Sequence, residues 1–185
     1  MSADGRYLLL TTEFDGWVVK VDTTDMRVVG QVHVGGQPID VKAGPDGSLF
    51  YIANQTRNGV SVIDPIGMRE IAFIPTGAGA HGLAVSRDTN FLYIANRLDG
   101  TISVLEFATN SITRTWHVGG SPDMLQVSAD GSQLWASGRF DGRVYVIDTH
   151  TGRLIQAIMT GTAPHGLTYF PQPGKVSIGH NGVYR

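Results

Sequence analysis

Asp4, Asp46, Asp88 and Asp130 are separated by a constant step of 42 residues, and Asp22, Asp64, Glu106 and Asp148 keep the same step. So do four segments rich in small residues, Gly35-Gly36-Gln37-Pro38, Gly77-Ala78-Gly79-Ala80, Gly119-Gly120-Ser121-Pro122 and Gly161-Thr162-Ala163-Pro164, and Ala53-Asn54 recurs as Ala95-Asn96. A period this regular, with no insertions, means one structural unit copied head to tail, and it constrains the fold more than any local propensity does.

Each unit divides into four short pieces. A buried stretch such as Leu83-Ala84-Val85 leads to a turn, most complete as Ser128-Ala129-Asp130-Gly131, where Asp accepts from the backbone ahead and Gly supplies positive φ. An apolar run such as Leu49–Ala53 follows, rich in the aromatic and β-branched residues that suit a pleated surface. Asp15-Gly16, Asn58-Gly59, Asp99-Gly100 and Asp141-Gly142 then read as tight hairpins. Val60–Asp64 supplies a third strand and Ile112–Val118 a fourth. No window keeps apolar residues at helical spacing without a Gly or Pro interrupting it, so essentially no helix is expected.

Four antiparallel strands per unit cannot cover their own apolar faces and must stack on neighbours around an axis. The expected fold is therefore all-β, a β-propeller of four-stranded antiparallel blades. The chain opens in mid-blade at Ser2-Ala3-Asp4-Gly5, giving a partial blade over 1–34, full blades over 35–76, 77–118 and 119–160, and a partial blade over 161–185. In the last, Gly166–Tyr169 reads as an inner strand and Lys175–Gly179 as a second strand. The preferred reading is a single arc, 1–185, of a larger ring, whose open blade edges favour self-association.

Composition narrows the functional classes. A net charge of −2 and the lack of a Lys/Arg run disfavour nucleic acid. Zero Cys removes disulfides, thiol nucleophiles and thiolate metal sites. No stretch approaches the roughly 20 apolar residues of a spanning helix, and the N-terminus carries no signal peptide. Nucleophile-elbow, helical zinc and phosphate-loop motifs are absent, so no catalytic residue is assigned and no cofactor is required by the sequence.

Leu92–Asn96, Asn58–Asp64 and Pro164-His165-Gly166-Leu167 resemble the YVTN-repeat β-propellers, across nearly the whole chain. The naming tetrapeptide stands here as Tyr51-Ile52-Ala53-Asn54 and Tyr93-Ile94-Ala95-Asn96, and is eroded to Trp135-Ala136-Ser137-Gly138. The resemblance implies a seven-bladed ring of bacterial or archaeal type, an extracytoplasmic location and a binding or scaffold role with a protein or small-molecule partner. Related propellers include haem-carrying nitrite reductase domains and sugar-lactone hydrolases, which keeps a metal-assisted or lactone-type hydrolase as the alternative.

Units this alike can confer selectivity only where they differ. At the entry to the innermost strand the register aligns Ile39, His81, Asp123 and His165, positions that face one mouth of the central channel from successive blades. His81, Asp123 and His165 are the expected ligand-binding residues, with a divalent metal as a possible ligand and His81 and His165 as candidate metal ligands. The competing reading is a turn in which each His bonds its own backbone. Adjacent blades are expected to hold the trio too far apart for all three to reach one ion, since zinc or copper ligands must lie within about 2.0–2.2 Å of it. His33 and His117 read as edge positions, His150 as a solvated turn residue and His180 as a strand end. The repeated acids read as turn anchors, and Trp17, Trp116 and Trp135 as packing residues.

Overall fold

The computed structural model describes residues 1, 2 and 4–169, in which fifteen strands and no helix are found. The first sheet has three strands, β1 (Tyr7–Thr12), β2 (Trp17–Asp22) and β3 (Val28–His33). The second comprises β4 (Pro38–Ala43), β5 (Phe50–Asn54), β6 (Gly59–Asp64) and β7 (Arg69–Pro75). The third comprises β8 (Ala80–Val85), β9 (Phe91–Asn96), β10 (Thr101–Glu106) and β11 (Ser111–His117). The fourth comprises β12 (Pro122–Val127), β13 (Gln133–Gly138), β14 (Arg143–Asp148) and β15 (Leu154–Met159). All pairings are antiparallel between sequence neighbours, as propeller blades require.

The sheets stack face to face through their apolar sides. Leu9, Val18, Phe50, Ile52 and Ile63 fill the gap between the first two sheets. Val60, Val62, Leu83, Ile94 and Leu105 fill the next, and Ile102, Val104, Leu125, Leu134 and Ile147 the last. Each such side chain, fully buried, contributes about 1.5–3 kcal/mol. Strands covered on both faces are buried almost throughout, as in β6 and β10, whereas outermost β15 leaves Leu154, Ile155 and Met159 exposed. No helix among the described residues is long and apolar enough to cross a membrane.

Turn chemistry repeats with the same step. Asp22, Asp64 and Asp148 accept backbone N–H bonds from Thr24, Ile66 and His150 at 2.7, 2.9 and 2.9 Å, so these acids anchor turns. Left-handed backbone recurs at Gly16, Asn58, Gly100 and Gly142. In the Asn58-Gly59 hairpin of the second sheet, Asn58 takes the left-handed backbone. Gly59 instead lies in β6, where a Cβ would sit 2.5 Å from the Ile74 carbonyl oxygen. The three tryptophans lie within strands, as packing residues should. Gly166–Tyr169, expected as an inner strand, forms no ladder among the described residues, and its expected pairing partner, Lys175–Gly179, lies outside them, as does His180.

The repeated Asn ties the sheets' connectors to their second strands. Fully buried Asn96 donates from Nδ2 to Thr101 Oγ1 at 3.0 Å and Ser103 Oγ at 2.8 Å, while its Oδ1 accepts from Gly77 N at 3.0 Å. Asn54 also ties its connector, donating to Gly35 O and accepting from Gln37 N. Truncating Asn96 strands a buried amide and two hydroxyls, so Asn96→Ala is expected to lower unfolding free energy by about 2–4 kcal/mol, read from the urea midpoint. A loss below about 0.5 kcal/mol would show that the bonds are replaced by water.

Candidate functional site

The innermost strands β4, β8 and β12 pack in succession around the hub. Each carries a register irregularity at its entry, between Pro38 and Val41, Ala80 and Leu83, and Pro122 and Leu125. The residues inside these irregularities, Ile39, His81 and Asp123 among them, are freed from regular pairing, which is how bulges re-aim side chains. Two hydroxyls pin equivalent entries from the preceding sheet. Thr11 Oγ1 donates to Ile39 O at 2.8 Å, and Ser137 Oγ to His165 O at 2.6 Å.

This brings together the three residues singled out by register. His81 Nδ1 lies 3.1 Å from Asp123 Oδ1, His165 Nε2 lies 3.6 Å from Asp123 Oδ2, and the two imidazoles meet edge-on at 5.7 Å between centroids. One ligand atom from each of the three lies within 4.8 Å of the others. The expectation that adjacent blades hold them far apart is thus wrong. The cause is Gly82, whose missing side chain lets β8 approach β12 so closely that a Cβ there would fall 2.2 Å from Asp123 O.

The expectation that each His bonds only its own backbone also gains no support at His81. Its Nδ1 and both Asp123 carboxylate oxygens are buried without a hydrogen-bond partner among the described residues. Burial first, and then the Arg97 charge, depress the His81 pKa to about 3. His81 is therefore neutral near pH 7, and its contact with Asp123 is not an ion pair. Burial pushes the Asp123 carboxyl up, outweighing the opposing pull of Arg97.

Sequence reasoning missed two cations. Arg97 Nη1 lies 3.3 Å from Asp123 Oδ1, and the same guanidinium hydrogen-bonds Gln55 Oε1 and faces the Phe140 ring at 5.4 Å. Arg139 acts electrostatically on His81, Arg97 and Asp123, yet its side chain makes no hydrogen bond or ion pair among the described residues. The signal was present: the repeat aligns Glu13, Gln55, Arg97 and Arg139 directly after β1, β5, β9 and β13, another position where the units differ. The next position carries Phe14, Leu98 and Phe140, exposed by 83%, 67% and 68%, an apolar rim beside the polar cluster.

His33, His117 and His150 are exposed and stand apart from this cluster, on outer strands and in a turn. The assembled groups offer imidazole nitrogens, one buried carboxylate held by a guanidinium, and one guanidinium without an ion-pair partner among the described residues. Together they can accept from a cation or donor at depth and attract an anion above.

No curated protein sequence matches the chain. Among solved structures, Kuenenia stuttgartiensis hydrazine synthase is similar, with a TM-score of 0.79 and 28% identity. That likeness covers 87% of this chain and 48% of the other, so this chain spans about half the length of its structural relative. Residues 11–172 match the YNCE-like beta-propeller family model, and with the blade-like sheets in place the chain belongs to that family.

Proposed function

We propose that this chain is a binding propeller whose ligand seats at the hub mouth on His81, Asp123 and His165, with Arg97 and Arg139 beside them. The observation that carries this reading is that the buried side-chain atoms lacking hydrogen bonds among the described residues all belong to His81 and Asp123. Buried polar groups are nearly always satisfied, and an unsatisfied cluster that serves only the fold would cost stability without return. A cluster held ready for a ligand explains the cost. The likeness to hydrazine synthase supports the architecture, and no activity is carried over from it.

Two measurements test the reading. His81→Phe keeps the ring volume and removes the unpartnered nitrogen, so at pH 7 its melting temperature is expected to equal or exceed that of the parent. A fall of more than about 4 °C, equivalent to roughly 1 kcal/mol in a chain of this size, would make His81 a structural residue. In parallel, a thermal-shift panel of small carboxylates, inorganic phosphate and divalent cations is expected to contain at least one stabilising compound whose effect disappears in His165→Ala.

A further inference from the structure

We infer that His81, Asp123 and His165 form a mononuclear binding site for a divalent transition-metal ion with an open coordination position facing the channel mouth. The inference rests on the mouth-binding reading and names its ligand chemistry.

Three observations favour a bare ion over an organic molecule at this depth. Asp123 is fully buried, the His81 side chain is 5% exposed, and His81 Nδ1 and both Asp123 carboxylate oxygens lack a hydrogen-bond partner among the described residues. A small cation between those atoms satisfies all of them at once. Second, the donors are two imidazoles and one carboxylate, a set suited to zinc, iron, cobalt or nickel rather than to calcium or magnesium, which prefer oxygen alone.

Third, the spacing is near what such an ion needs. Bond lengths of about 2.0–2.2 Å place tetrahedral donors about 3.4 Å apart. His81 Nδ1 lies 3.1 Å from one Asp123 carboxylate oxygen and His165 Nε2 lies 3.6 Å from the other, both near that span. With one donor from each residue, all three lie within 4.8 Å of one another, and the set contracts by turning His165, whose side chain is 47% exposed and whose backbone stays fixed through Ser137.

Arg97 does not displace the cation. It lies 3.3 Å from Asp123 Oδ1, the place of a guanidinium that orients a ligating carboxylate from outside the coordination shell. Asp123 then bridges metal and Arg97, which keeps it ionised despite its burial. With three protein ligands the ion retains an open position, as catalytic rather than structural sites do. Arg139 acts electrostatically on Asp123 and has no ion-pair partner among the described residues, so an anionic group is the favoured occupant of that position.

The test is titration of chelator-treated protein with Zn²⁺ by calorimetry and with Co²⁺ by visible absorption. One ion per chain is expected, with cobalt bands of a four- or five-coordinate nitrogen–oxygen site. His165→Ala, the least buried of the three, and Asp123→Asn are each expected to weaken binding by more than about 100-fold, beyond the loss typical of an outer partner. The double variant His33→Ala, His117→Ala controls for surface histidines and is expected to bind as the parent does. Circular dichroism and urea midpoints confirm that the variants fold. Binding that is absent in the folded parent, or that survives His165→Ala or Asp123→Asn, overturns the metal site, and so does binding lost in the surface control. If metals fail while a carboxylate or phosphate still stabilises the parent and not His165→Ala, the metal falls and the mouth-binding reading stands. If no probe binds, both fall.

Discussion

Adding one methyl group at Gly82 is expected to destabilise the protein by more than about 3 kcal/mol, through overpacking against backbone that cannot give way. The new Cβ would fall 2.2 Å from Asp123 O and 2.8 Å from Met124 Cα, both main-chain atoms of the neighbouring sheet's inner strand. Relief requires β8 and β12 to separate, and that movement opens the interface packed by Ala84, Leu125 and Val127. It also pulls His81 away from Asp123. Fold and site therefore depend on the same absent side chain. Gly166, at the equivalent position one double step later, has nothing among the described residues within 4 Å of its ideal Cβ, so Gly166→Ala is expected to change stability by no more than about 0.5 kcal/mol. Urea denaturation of the two variants measures the contrast. Equal and small effects would mean that the inner strands do not approach as described.

The second large effect is a loss of stability in mild acid. His81 is held neutral when folded, with its pKa lowered to about 3, chiefly by burial. Once unfolded it titrates near the ordinary value of about 6.5. Between those values the unfolded chain binds the extra proton, so stability falls as pH drops from about 6.5 towards 3, by an amount on the order of a few kcal/mol. Asp123 works in the opposite direction. Its raised pKa makes the folded state hold a proton that the unfolded chain has released, so acidification recovers part of the loss. The exposed turn acids Asp22, Asp64, Asp130 and Asp148 have lowered pKa values from hydrogen bonding, and their stabilisation is lost only below about pH 4. The loss between pH 6.5 and 4.5 therefore belongs to His81 among these groups. In chelator-treated protein, urea midpoints at pH 7, 6, 5 and 4.5 are expected to fall steeply for the parent and to stay nearly level for His81→Phe. Parallel curves would show that His81 is already charged or exposed in the folded state.

Much of the architecture was readable because it depends on local rules repeated at a fixed step. Asp22, Asp64 and Asp148 sit where a carboxylate anchors the next turn, and they do so. The first turn shows the limit of that reading. Gly5, Gly47 and Gly131 take positive φ there, and Thr89 takes it too, at 60°, although a β-branched residue resists that conformation. Ser86 and Asp88 hold the same turn with side-chain and backbone hydrogen bonds, so the repeat overrides the residue's own preference. In the hairpin of the second sheet the Asn58-Gly59 pair holds the expected turn, with Asn58 taking the left-handed backbone.

The candidate site was only half legible. Aligning the units exposed Ile39, His81, Asp123 and His165 as positions of difference, and the same alignment held Arg97 and Arg139 unnoticed beside them. Sequence alone established that identical sheet units must stack, because periodicity and turn chemistry are properties of neighbouring residues along the chain. Only tertiary structure decided that β8 and β12 come within backbone contact at Gly82, that irregular entries turn His81 and Asp123 towards one another, and that Arg97 reaches Asp123. Those facts depend on distances between separate sheets, and such distances are set by which side chains are missing as much as by which are present.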